Sequence, residues 1–197
     1  MQFKDFLEFY HNIFIPIYSD TVAYLADKPV QIIIEIENAF AHLIVYLDND
    51  TDQETKEDNL KKAYNHIARA ALDSYKILWV KMSDDIDELV HDETKRKFVT
   101  NIPERTLMEN FVTFKEKAKE ARRIEIQNVG RNNIIKTINA YKEAIEAGWN
   151  ILRNIDPDKL ASYKKFTVKR LIRDQWIGFF IGIFASLVAT WLLQLFS

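Results

Sequence analysis

Apolar positions recur by threes and fours along most of the chain, the period of helices that bury one face. Residues Phe3 to Leu25 read as a first helix with the stripe Phe3, Phe6, Leu7, Tyr10, Ile13, Phe14 and Ile17. Pro16 removes a backbone donor inside it, so a kink or break is expected near Phe14. Asp27-Lys28-Pro29 marks a turn and the opening of a second helix to Leu47. Its apolar positions Ile33, Ile36, Phe40, Leu43 and Leu47 have helical spacing and predict the buried face. The acidic stretch Asp48 to Asp58 reads as a loop ending in Thr51-x-x-Glu54, which has capping-box spacing.

A third helix over 53–93 then carries Leu60, Ala63, Ile67, Ala70, Ser74 and Ile77 on one side. Ser83-Asp84-Asp85 offers a fresh cap, so a kink is expected before Ile86. Asn101 to Glu104 separates this helix from two more, over 104–128 and 131–155, divided at Gly130. The second of these has a packing seam of Ile138, Tyr141, Ile145, Gly148, Leu152 and Ile155. Asp156-Pro157 pairs a good N-cap with a proline at the first helical position, and no breaker follows before Ile177. One helix over 157–197 is therefore predicted to serve as stalk and span together.

The run Trp176 to Phe196 holds no charged residue. At ~1.5 Å per residue it reaches roughly 31 Å, enough for the ~30 Å hydrocarbon core of a bilayer. Trp176 and Trp191 lie toward its ends, where indoles sit at the headgroup level, and Lys164, Lys165, Lys169, Arg170 and Arg173 precede it. The positive-inside bias predicts a single-pass, tail-anchored protein of the cell (inner) membrane with its N-terminal bulk cytoplasmic. Three regions are expected: a cytosolic helical bundle over 1–156, a basic juxtamembrane stalk helix over 157–175, and a transmembrane helix over 176–197.

Small residues recur along one face of that run. Gly178, Gly182, Ser186 and Thr190 are spaced by four, with Ala185 and Ala189 beside them and Gln194 continuing the row. Small residues let helix backbones approach in lipid, so this face is the candidate for homo-oligomerisation. If copies surround a lumen, Ser186, Thr190 and Gln194 are the candidate pore lining.

Composition sharpens the fold class and removes several chemistries. With only 4 glycines and 4 prolines against 48% hydrophobic residues, an all-α architecture follows. A net charge of −2 argues against general nucleic-acid binding. The absence of cysteine excludes disulfides, thiolate metal sites and a cysteine nucleophile. No phosphate-binding loop, His-Glu-x-x-His or Gly-x-Ser-x-Gly motif occurs, so no enzyme and no cofactor is predicted. Glu8-x-x-His11 and Glu88-x-x-His91 have the spacing used in di-metal helical bundles, with Glu35 or Glu37 and Glu109 as further ligand candidates. Glutamate is common on surface helices, and these remain the weakest of the candidates.

The segment Asn59 to Leu78, NLKKAYNHIARAALDSYKIL, resembles a helix of the HEPN-like domains of prokaryotic defence systems, including small membrane proteins encoded beside RNA-targeting CRISPR systems. The resemblance covers about one helix and the plan of bundle plus anchor. It implies a membrane effector in antiviral defence, with a protein or an RNA-guided complex as activator. RNase members of that family carry arginine, four to six residues, then histidine. Here no arginine precedes a histidine at that distance, and Asn65, His66 and Arg69 run in the opposite order. The sequence thus points first to an oligomeric, pore-forming or membrane-perturbing effector, then to a tail-anchored adaptor binding a protein partner, and last to a membrane-tethered RNase.

Overall fold

In the computed structural model, residues 1–128 and 133–195 are described, without the side chains of residue 174 and of residues 187–195. They form helices and turns with no strand; Thr100 and Ile155 make an isolated antiparallel bridge. The expected break near Phe14 takes a specific form. Helix α1 (Phe3–Phe9) passes through a π-helical turn (Tyr10–Phe14) into α2 (Ile15–Leu25), so the widened turn leads directly to Pro16. Ala26 then ends α2 in the left-handed conformation, at φ 53.

Helix α3 (Val30–Leu47) starts after Pro29, as expected, but its inward face differs from the one predicted. Ile32 and Ala39 are fully buried, and Ile36, Leu43 and Tyr46 pack beside them, whereas Phe40 and Leu47 face outward. Two overlapping apolar rows share this helix, and the row that meets the bundle is the one that also carries Glu35 and His42, which find partners there.

Helix α4 (Gln53–His91) is the 39-residue spine. Its cap is Asp52, whose Oδ1 accepts from the Thr55 N–H at 2.9 Å; the expected Thr51–Glu54 box is displaced by one residue. Ala63, Ala68, Ala70 and Ala71 are all fully buried and let neighbouring helices approach closely. Burial on several sides of α4, including Leu78, Met82 and Ile86, replaces the single stripe predicted.

No new helix starts at Ser83-Asp84-Asp85: α4 runs through, with the Ser83 and Asp85 side chains engaged away from the backbone. Asp85 accepts from Tyr24 (2.9 Å) and Lys81 (2.6 Å), and Ser83 and Asp87 accept from Lys115. The break comes at Asp92, which caps the short α5 (Glu93–Val99) through the Lys95 N–H. Helices α6 (Glu104–Asn128) and α7 (Ile134–Leu152) pack on each other, and α7 packs on α4. The predicted break at Gly130 lies outside the described residues. Of the α7 seam, Ile138, Tyr141, Ile145 and Gly148 are buried, Leu152 is partly so, and Ile155 falls beyond the helix end. Helix α8 (Pro157–Leu195) is one unbroken helix of 39 residues.

Candidate membrane-anchoring helix and polar seam

The start of α8 is fixed tightly. Asp156 Oδ1 accepts from the Asp158 and Lys159 N–H groups at 3.0 Å, while the Asp156 N–H donates to the Val99 carbonyl at 2.8 Å. The Lys159 amide holds the Asp156 carboxyl below its ordinary range. About two turns on, Tyr163 donates its hydroxyl to Asp92 Oδ2 at 2.8 Å, joining α8 to the cap of α5. The Lys95 amide, with the Tyr163 hydroxyl, keeps Asp92 low as well. Leu160 and Tyr163 are the last α8 side chains packed on the core.

From Lys164 to Ser186 every described side chain is exposed. This exposed stretch runs for roughly 35 Å past the bundle at ~1.5 Å per residue. Phe166, Val168, Leu171, Ile172, Trp176, Ile177, Phe179, Phe180, Ile181 and Phe184 are among the large apolar groups it exposes. Trp176 stacks on Phe180 and meets Phe179 edge-on, both at 6.0 Å. A methyl group added at Gly178 or Gly182 would meet nothing within 4 Å, so the chain's own fold does not use the space beside these two glycines. Ala185 and Ser186 are exposed near it. The side chains of Ala189, Thr190, Trp191 and Gln194 lie outside the described residues. Lys164, Lys165, Lys169, Arg170 and Arg173 occupy the exposed turns before Trp176.

Among the described residues, the helix that meets the length and hydropathy of a membrane span is α3, near the N-terminus. Its 18 residues have a mean hydropathy of 1.5, and 11% of them are buried. The sequence reading took one row of α3, Ile33, Ile36, Phe40, Leu43 and Leu47, and did not weigh the helix as a span. Val30, Ile34, Phe40, Ile44 and Leu47 are instead 50–70% exposed.

The inward side of α3 holds most of the remaining chemistry. His66 Nδ1 lies 2.6 Å from Glu35 Oε2, and the His66 ring stacks on His42 at 5.3 Å. The Asn59 amide donates to the Thr55 carbonyl, so its oxygen faces His42 and the His42 Nδ1 hydrogen donates to it at 2.8 Å. Gln31 donates to Asp73, whose carboxyl burial pushes upward. Beyond it Lys76 pairs with Glu125, which also accepts from Tyr141 at 2.7 Å. Burial, with that carboxylate, pushes the Tyr141 phenol up to about 12.

These groups partner one another across the helices, with Gln31 and Asp73 at the exposed edge. Among the described residues no group of three His, Asp or Glu side chains is arranged to hold a metal ion. The sequence candidates are dispersed: Glu8 pairs with Lys4, Glu88 with Lys95, His91 bonds the Asp87 carbonyl, and Glu109 pairs with Arg105. His11 meets Tyr10 edge-on in the π-helical turn. Glu35 is taken by His66. Comparisons with protein-family models, with curated proteins and with solved structures find no match to the chain.

Proposed function

We propose that the chain is a single-pass membrane effector, its helical bundle on the cytoplasmic face of the cell membrane and its span the uncharged run Trp176 to Phe196, which takes in the distal part of α8. The observation that supports this best is that one helix caps firmly on the bundle at Asp156 and then leaves it with its apolar side chains uncovered. Water is a poor solvent for such a surface, and lipid is a good one. The basic residues Lys164 to Arg173 would meet anionic headgroups, each contributing about 1 kcal/mol near the surface.

Assembly through Gly178, Gly182, Ala185, Ser186, Ala189 and Thr190 would gather the spans, and a lumen lined by Ser186, Thr190 and Gln194 would make the assembly leaky to ions. The HEPN-like resemblance of Asn59 to Leu78 supports a role in prokaryotic antiviral defence, with a protein or RNA-guided complex as the activator. The test uses the full chain in liposomes. Leucine at Gly178 and Gly182 is expected to preserve insertion and weaken the oligomer, whereas leucine at Ser186, Thr190 and Gln194 is expected to preserve the oligomer and abolish ion leak. An oligomer and a leak insensitive to both sets would leave α8 as an anchor alone and make the chain a tail-anchored adaptor.

A further inference from the structure

Two imidazoles meet where α3 lies on α4. The His42 ring of α3 stacks on the His66 ring of α4, with centroids 5.3 Å apart and planes inclined by 19°. While both rings are neutral each ring hydrogen has an acceptor, since His66 Nδ1 donates to Glu35 and His42 Nδ1 to the Asn59 oxygen. Each ring therefore takes its next proton at Nε2. α4 is the chief neighbour of α3, so this polar seam and the apolar side chains beside it, Ile32, Ile36, Ala39 and Leu43, hold the helix in place.

The charges around the pair accommodate one proton and not two. On α3, Glu35 is the acid in contact, Glu37 is exposed, and from Asn38 to Leu47 no acidic or basic residue other than His42 occurs. On α4, Lys62 and Arg69 stand one turn to either side of His66, both exposed, and Lys62 is matched by Asp58 at 2.6 Å. Asp73, further along the seam, already accepts from Gln31 and lies near Lys76. The acid that α1 brings toward this part of α4 is Asp5, whose carboxylate acts on Tyr64. A first proton settles on the ring that Glu35 faces and makes a charge-assisted pair. A second places two cations 5.3 Å apart, one turn from Arg69, with Glu35 as the carboxylate in contact. The two rings belong to different helices, so parting α3 from α4 relieves the repulsion.

We propose that the stacked histidines are a proton-operated latch, which holds α3 on α4 while the pair carries at most one proton and releases it as the second is taken up. The packed form disfavours that second proton and the open form does not, so opening binds a proton and is favoured as pH falls. Imidazoles change charge between about pH 8 and pH 5, above the carboxylate range in which the Asp92 and Asp156 caps are lost, so the two effects are separable. They are also apart in space: the latch sits on the first half of α4, and the α8 joint at its far end, through Asp92 and Tyr163. The latch does not depend on the membrane reading of α8.

The test is hydrogen–deuterium exchange of the full chain in mild detergent, read by mass spectrometry in peptides from α3 and from α7, each rate divided by that of the unstructured peptide at the same pH. Between about pH 7.5 and about pH 5.5 the protection of α3 is expected to fall, by up to about tenfold per pH unit for one proton, while α7 stays protected. His42→Phe keeps a ring for the stack and removes the second charge, so its α3 should remain protected at the lower pH. On the parent chain, potassium chloride at about 1 M shortens the Debye length to about 3 Å and should restore most of the α3 protection lost in acid. An α3 protection independent of pH, a fall shared equally by α7, or a fall unchanged by both His42→Phe and salt overturns the latch. Should His42→Phe already expose α3 at neutral pH, the salt response of the parent decides: restored protection supports the latch and an unaltered loss overturns it.

Discussion

Among the described glycines, Gly148 is the one with no room for a side chain. A methyl group built there would fall well inside contact distance of Met82 Sδ and within 3.1 Å of Met82 Cγ and Phe114 Cε2, and both neighbours are fully buried. Gly148→Ala gains about 1 kcal/mol of helix propensity in the middle of α7. Overpacking costs about 1–3 kcal/mol, because Met82 must leave its rotamer between α4, α6 and α7. The net expectation is a loss of about 0–2 kcal/mol. Met82→Ala alone opens a cavity and should cost about 2–5 kcal/mol. In the double variant the new methyl enters part of that cavity, so the two losses should fall short of additivity by on the order of 1 kcal/mol. Urea unfolding of the bundle, followed by circular dichroism of the full chain in mild detergent, measures all four corners of the cycle. A Gly148→Ala chain about 1 kcal/mol more stable than the parent, with no coupling to Met82, would refute the close-packing account and leave propensity alone.

Three further outcomes follow from the same contacts. Removing residues 176–197 should leave a detergent-free helical bundle whose unfolding free energy stays within about 0.5 kcal/mol of the parent, since no described side chain after Tyr163 packs on the core; an aggregated or strandlike product would contradict this. His66→Leu should cost about 1–3 kcal/mol by leaving the Glu35 carboxylate without its partner, and Glu35→Leu in the same chain should recover much of it, read by the same urea transition. Asp92 and Asp156 are both held below the ordinary carboxylate range by backbone amides, so the stability they lend the α5–α8 joint is complete above that range and is lost as pH falls through their lowered values. A nitroxide at Lys164→Cys should accordingly gain mobility in acid, and a mobility independent of pH down to that point would show that the caps do not hold the joint.

The breaks that were legible in the sequence are those where one residue type has one backbone use. Asp156-Pro157 opens α8, and the irregularity expected near Phe14 from the donor missing at Pro16 is present, as a π-helical turn. The misreadings arose where a polar side chain had two. Ser83, Asp85 and Asp87 have the chemistry of caps, but Tyr24, Lys81 and Lys115 reach them from α2, α4 and α6, and the helix runs through. Thr51 and Asp52 both have cap chemistry, and Asp52 took the position. Long-range partners such as Tyr163 for Asp92, far apart in the chain, have no local signal at all.

The inward face of α3 was illegible for a further reason. Periodicity reports that apolar residues share a face, and α3 offers apolar residues on every side, so the period cannot choose between them. The choice was made by what α4 presents: Asn59, His66 and Asp73 stand on its α3 side and accept or donate to His42, Glu35 and Gln31. Such a seam adds little to stability, because apolar residues of similar volume would pack there at no desolvation cost. It does fix register, since a slip of one residue along α3 would leave three polar pairs unmade. It also sends the apolar row Val30, Ile34, Phe40, Ile44 and Leu47 outward. The core side of α3 stays apolar as well, through Ile32, Ile36, Ala39, Leu43 and Tyr46, so both sides of the helix could pack, and the three polar pairs select which one does.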